Sequence, residues 1–131
     1  MDTTITEVAD KTLLVIDDEY IIRQIVQICL ENLSNWKATI ANSGKEGLAE
    51  IARSKPDAIL LDMMMPNMDG FTFLALLQAD AELSQIPVVF LTSCTNLLNH
   101  QTFMDLGCKG VISKPFEPST LVSQIAYILG W

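Results

Sequence analysis

A chain of 131 residues, half of them hydrophobic, has room for one domain with a substantial core and little for a second. Eight Lys and Arg against sixteen Asp and Glu give a formal charge of −8, which repels nucleic-acid phosphates and anionic lipid and argues against direct binding to either. Apolar stretches stop well short of the roughly 20 residues that cross a bilayer, and no signal-peptide pattern opens the chain, so a cytoplasmic protein is expected.

In chain order, residues 1–11 are polar and aperiodic, which predicts a loose tail ahead of a single domain over 12–131. Leu13 to Ile16 reads as a first strand and ends on Asp17-Asp18-Glu19. Ile21, Ile22, Ile25, Val26, Cys29, Leu30 and Leu33 then recur at helical spacing, and Ser34-Asn35 closes that helix. Trp36 to Ala41 is a short second strand. Ser43 with Glu46 forms a capping-box pattern, and Leu48, Ile51 and Ala52 supply the stripe of a second helix.

Ala58-Ile59-Leu60-Leu61 is an unbroken apolar run that stops at Asp62, the pattern of a parallel strand buried on both faces. After Asn67-Met68-Asp69-Gly70, the residues Phe71, Leu74, Ala75, Leu77 and Gln78 predict a third helix ending near Asp80 to Ser84. A fourth strand from about Ile86 to Leu91 ends in Thr92-Ser93. Thr95 or Asn96 caps a fourth helix through Leu106, with Gly107 as its stop. A fifth strand from about Lys109 to Ile112 leads to Lys114-Pro115, and Pro118 opens a last helix carrying Leu121, Val122, Ile125, Ala126, Ile128 and Leu129. Five strand-helix units without a repeat predict an α/β fold: a doubly wound five-stranded parallel sheet in the order 2-1-3-4-5 with five helices.

Four apolar runs thus each deliver a polar group at the carboxyl end of a strand, the edge where open parallel sheets bind ligands. In that strand order Asp17, Asp18 and Asp62 meet at the switch point. Two carboxylates about 4 Å apart repel by roughly 4 kcal/mol at an effective dielectric near 20, so three acids call for cations. Lys114 supplies one charge, and an incomplete set of hard oxygen ligands suits Mg²⁺. Metal, ammonium, the Thr92 hydroxyl and one carboxylate nucleophile are the parts of a phosphoryl-transfer site in which Asp62 attacks phosphorus.

Asp17-Asp18, Asp62 with Met65-Pro66 and Asp69-Gly70, Thr92-Ser93, and Lys114-Pro115-Phe116 together resemble the receiver (CheY-like) domain of two-component response regulators, over about Thr12 to Trp131. The resemblance implies a flavodoxin-like fold and makes Asp62 the phosphoacceptor. It makes Asp18 a direct Mg²⁺ ligand, with Asp17 acting largely through water and Asp62 and the Met64 backbone carbonyl completing the protein's share. Thr92 and Lys114 would hold the phosphoryl oxygens, and the Lys114-Pro115 peptide would be cis. The implied donor is a histidine kinase or a phosphotransfer protein. The implied protein is a switch that assists its own phosphorylation and dephosphorylation without being an enzyme. Because the sequence stops with the fifth helix at Trp131, it is expected to act with no fused output domain, through an unknown downstream protein or a phosphorelay, unless it is a piece of a longer protein.

Receivers often carry an aromatic residue three places before the lysine; this chain has Val111. The threonine-aromatic coupling therefore does not transfer intact, and the readout is expected in the loop after the fourth strand and in the fourth helix. Met64 and Cys94, two places beyond Asp62 and Thr92, place no polar group on a hydrolytic water, which predicts slow self-dephosphorylation.

Other readings compete residue by residue. Asp17-Asp18-Glu19 alone would be acids favoured at a helix start, and Glu19 stands open between that role and an outer metal shell. Met63 to Met65 and the thiols Cys29, Cys94 and Cys108, which lack CxxC spacing, read as apolar filling. Asp57 and Asp69 read as turn acids, and His100 as solvent-facing. Phe103, Met104, Ile125 and Leu129 stand between core and partner surface. Among other functions, a small Mg²⁺-dependent aspartyl-phosphate phosphohydrolase is the alternative, weakened by Met64 where such phosphatases carry a second acid. A flavin- or nucleotide-binding module lacks a phosphate loop after the first strand, and a degenerate receiver conflicts with the intact acids, hydroxyl and lysine.

Overall fold

The computed structural model describes residues 11–93 and 104–131. In chain order its elements are β1 (Thr12–Ile16), α1 (Tyr20–Leu33), β2 (Lys37–Ala41), α2 (Gly44–Arg53), β3 (Ala58–Asp62), α3 (Gly70–Gln78), a 3₁₀ turn (Leu83–Gln85), β4 (Val88–Thr92), β5 (Gly110–Ser113) and α4 (Pro118–Leu129). The strands form one parallel sheet in the order β2-β1-β3-β4-β5. This is the predicted doubly wound architecture.

Alternation along each strand explains the two layers. Leu14, Ile16, Ile59, Leu61, Val88 and Phe90 point to one face, where Ile51 of α2 and Phe73, Leu74 and Leu77 of α3 cover them. Leu13, Val15, Leu60, Val89, Leu91 and Ile112 point to the other, under Val26 and Leu30 of α1 and Leu121 and Ile125 of α4. Every residue of β3 and β4 is buried, which is why these runs carry no polar alternation.

Four α-helices are present among the described residues, against five expected. The expected fourth helix lies outside them except for its end: Met104 and Asp105 are helical, and Gly107 follows at φ 97° as the predicted stop. Cys94, His100 and Phe103, and the tail up to residue 10, also lie outside the described residues. Met104 is exposed, whereas Ile125 is buried in the core.

Two helices keep most of the predicted inward residues, Leu48 and Ile51 in α2 and Phe71, Leu74 and Leu77 in α3, but differ from the periodicity at the others. In α2 the buried positions are Gly44, Gly47 and Ile51, while Ala52 is exposed and Leu48 half-buried. Gly47 lets this helix approach β1, where a Cβ would stand 2.5 Å from Ile16 Cδ1, and Gly44 lies against the Met68 side chain. In α3, Phe73 is fully buried, Phe71 partly so and Ala75 exposed. At the start of α2, Ser43 Oγ accepts from the Glu46 N–H at 3.1 Å as the capping box predicts, but the Glu46 carboxylate accepts from Asn42 N–H, one residue ahead of the cap.

Register brings the strand ends together. Ile16 pairs with Leu61, so Asp17 and Asp62, each one residue further, lie side by side. Asp62 pairs with Leu91, which sets Thr92 one step beyond it on the neighbouring strand, and Thr92 pairs with Ser113 just before Lys114.

Candidate functional site

Carboxylate oxygens of Asp17, Asp18 and Asp62 all lie within 4.8 Å of one another at the carboxyl edge of the sheet. Asp17 is fully buried, Asp62 is 4% exposed, and Asp18 faces solvent. The Lys114 ammonium stands 2.8 Å from Asp17 Oδ2, 3.4 Å from Asp62 Oδ1 and 3.1 Å from Glu19 Oε1. One mostly buried ammonium therefore serves three carboxylates. The Met64 backbone N–H donates to Asp62 Oδ1 at 3.3 Å, while the Met64 side chain is exposed. Met63 and Met65 are buried core residues.

Burial pushes the Asp62 carboxyl up to about 6; the Asp17 charge adds to the rise, and Lys114 and the Met64 N–H pull against it. Asp17 is raised by burial as well, despite the Lys114 ammonium and the Glu19 N–H that bonds its Oδ1 at 2.8 Å. Burial acts to lower the Lys114 ammonium, but Asp17, Asp62 and Glu19 outweigh it and leave the group above its ordinary range. The cleft holds more negative charge than its lysine balances.

Several neighbours fix this geometry. The Lys114 N–H donates to the Thr92 carbonyl at 2.9 Å, tying the loop after β5 to the end of β4, and Thr92 itself is fully buried. The Lys114-Pro115 peptide is cis. Beyond β3, Asp69 caps α3 by accepting from the Thr72 N–H at 2.8 Å, and the Gly70 N–H donates to the Met63 carbonyl at 2.9 Å. A Cβ on Gly70 would lie 2.7 Å from the Asp62 carbonyl oxygen and 2.9 Å from Met63 Cα. The helix start thus closes directly onto the acidic strand end.

The structure brings Asp17, Asp18, Asp62 and Lys114 into one cleft, with buried Thr92 on the adjacent strand end and the Met64 backbone beside Asp62. Three participants take roles that the sequence alone does not assign. Glu19 neither caps α1 nor stands apart from the lysine; it pairs with Lys114. Arg23 donates from Nη1 to the Asp17 carbonyl at 2.8 Å, one turn into α1, where an i to i+6 spacing gives no obvious signal. Gly70 appears in the sequence as a turn residue, and its steric role emerges only from the close approach. Val111 packs partly buried against the α2–α3 side of the sheet and lines an open groove of about 340 Å³ beside α4, with exposed Tyr127 on its rim.

The donor set fits a small hard cation. All three side chains offer carboxylate oxygen. Asp17 Oδ2 is buried and meets only the Lys114 ammonium, at 2.8 Å and off the ideal hydrogen-bond direction, so a carboxylate oxygen with two lone pairs keeps capacity for a cation. No helix among the described residues is long and apolar enough to cross a membrane.

Response regulator Rre1 of Synechocystis is 34% identical over 118 residues, 90% of this chain and 51% of that protein. The phosphate regulon transcriptional regulatory protein PhoB of Pseudomonas aeruginosa is 33% identical over 91% of this chain and 52% of its own length. The chain therefore spans about half the length of the curated relatives it matches. Among solved structures, Vibrio cholerae chemotaxis protein CheY4 superposes with a TM-score of 0.81 at 28% identity, covering 92% of this chain and 99% of CheY4. The N-terminal domain of a response regulator receiver protein from Methanoculleus marisnigri does so with a TM-score of 0.74 at 30% identity, covering 92% and 98%. The family model for the response regulator receiver domain matches residues 13–126, from the first strand to the last helix, and the chain belongs to that family.

Proposed function

We propose that this chain is a phosphorylation-dependent signalling switch in which Asp62 takes a phosphoryl group from the phosphohistidine of a histidine kinase or phosphotransfer protein. A carboxylate oxygen of Asp62 forms the new bond to phosphorus as the phosphorus–nitrogen bond breaks, and the imidazole departs with the electron pair and takes up a proton. The product on the protein is an acyl phosphate.

The observation that carries the reading is the convergence of Asp17, Asp18 and Asp62 within 4.8 Å beside the Lys114 ammonium. Asp18, Asp17, Asp62 and the Met64 carbonyl would hold Mg²⁺, which supplies charge neutralisation for the phosphoryl oxygens when bound. Lys114 and Thr92 engage those oxygens from the other side, where Lys114 already stands 3.4 Å from Asp62 Oδ1. Burial of Asp62 limits water at the acyl phosphate and favours a lifetime long enough for signalling.

Output passes through another protein surface, on a separate partner, the next member of a relay or a further domain. With Val111 in place of an aromatic residue, Thr92 transmits the change through the loop after β4, a segment outside the described residues.

The test is Mg²⁺-dependent labelling with acetyl phosphate, followed by mass spectrometry of the wild type and Asp62→Asn. Label is expected at Asp62 and absent from the variant. Label that persists on another side chain in Asp62→Asn would defeat the proposal.

A further inference from the structure

Glu19 occupies the N-cap position of α1 but makes no capping hydrogen bond with its side chain. Its carboxylate instead reaches Lys114, 95 residues away, at 3.1 Å. Its backbone is fixed at the same time, because the Glu19 N–H donates to Asp17 Oδ1 at 2.8 Å. An acid anchored to the metal-side carboxylate therefore holds the lysine expected to bind the phosphoryl group.

Among the three carboxylates around Lys114, burial separates them. The Asp17 side chain is 0% exposed and that of Asp62 5%, whereas that of Glu19 is 60% exposed. A buried carboxylate that loses its cation is left uncompensated, while an exposed one is rehydrated at little cost. When the ammonium is drawn deeper, the bond to Glu19 is the one that gives way.

We propose that Glu19 is a positioning residue that holds the Lys114 ammonium toward the mouth of the cleft until a phosphoryl group on Asp62 takes it over. This rests on Asp62 being the phosphoacceptor. A phosphoryl group adds negative charge next to an ammonium only 3.4 Å from Asp62 Oδ1, so Lys114 moves inward and Glu19 is released to solvent. Glu19 thereby sets how readily the lysine joins the transfer, and its released carboxylate marks the phosphorylated face of the cleft.

Labelling rates at saturating Mg²⁺, with acetyl phosphate and with the less charged donor phosphoramidate, test the inference in wild type, Glu19→Gln, Lys114→Ala and the double variant. Beryllofluoride affinity is measured in parallel on the same four proteins. Glu19→Gln keeps the backbone bond to Asp17 and removes the charge; it is expected to label about two- to fivefold faster with both donors, the worth of an exposed ion pair. Its gain in rate and in beryllofluoride affinity is expected to vanish when Lys114 is Ala. In the wild type, the ¹³C resonance of the Glu19 carboxylate is expected to shift on beryllofluoride addition toward its position in Lys114→Ala. Acceleration confined to the more charged donor, or retained without Lys114, would show simple repulsion at the cleft mouth and overturn the inference. So would an unchanged rate and affinity in Glu19→Gln. A wild type that takes no label at Asp62 would instead bring down the phosphoacceptor reading beneath it.

Discussion

Replacing Asp62 by Asn is expected to stabilise the protein at neutral pH without Mg²⁺. Burial and the Asp17 charge raise the Asp62 carboxyl from 3.8 to about 6 in the folded chain, so the native state binds this proton more tightly than the unfolded state does. Ionisation therefore costs folding free energy. The cost is absent below the unfolded value near pH 4, grows between there and pH 6, and is complete above it. About two pH units at 1.36 kcal/mol each set its ceiling at about 3 kcal/mol. The same linkage makes the wild type gain roughly 1 kcal/mol between pH 7 and pH 5, a gain that Asn at this position removes. Asn also gives up the ion pair with Lys114, but Asp17 and Glu19 retain that ammonium at 2.8 and 3.1 Å. The net advantage of Asp62→Asn at pH 7 is expected at about 1–3 kcal/mol. Urea unfolding with a chelator present, from pH 4.5 to 7.5, reads it directly. Saturating Mg²⁺ is expected to close the gap, because a ligand of the native state stabilises in proportion to its affinity and the variant has lost one carboxylate. A variant no more stable than wild type at pH 7, or a difference that persists unchanged at pH 4.5, would refute the electrostatic account of the cleft.

Gly70→Ala places a methyl 2.7–2.9 Å from the Asp62 carbonyl oxygen and Met63 Cα, backbone atoms that cannot swing away. It is expected to cost about 1–3 kcal/mol in urea unfolding and to slow acetyl phosphate labelling by tenfold or more as the β3–α3 junction shifts; wild-type values for both would show that the junction yields freely. Met64→Asn puts a polar amide on the exposed rim two residues past Asp62. The acyl phosphate is expected to decay several-fold faster in that variant, followed by loss of label on intact-mass spectra, and an unchanged half-life would remove Met64 from the route of water.

The sheet is legible in the sequence because burial on both faces leaves its mark on every residue of a strand. β3 and β4 have no exposed position, so their apolar runs could be neither amphipathic helix nor surface strand. Helix faces are read less well because periodicity counts hydrophobic side chains and overlooks glycine. The inward face of α2 is built on Gly44 and Gly47, whose lack of a side chain lets the helix close onto Met68 at the first and onto Ile16 at the second. Trp36, placed at the start of the second strand by its hydrophobicity, instead precedes it and packs edge-on against Trp131 at 5.2 Å, a contact between distant parts of the chain that no local pattern encodes.

At the cleft the legible part is position along the strand, and the illegible part is which charge answers which. Strand ends fix where Asp17, Asp62, Thr92 and Lys114 stand, since parallel register admits little freedom. Glu19 has more. At the N-cap of α1 its carboxylate can turn to the helix amides or away from them, and both choices satisfy local rules. The decision comes from β5, which lifts Lys114 to the same edge and sets an ammonium 3.1 Å away. Asp17, with no exposure and a carboxyl already raised by burial, cannot give that ammonium up, and Asp62 must meet whatever charge arrives. The exposed acid is left as the partner that can be exchanged, which is why the residue least determined by the sequence is the one positioned to regulate the lysine.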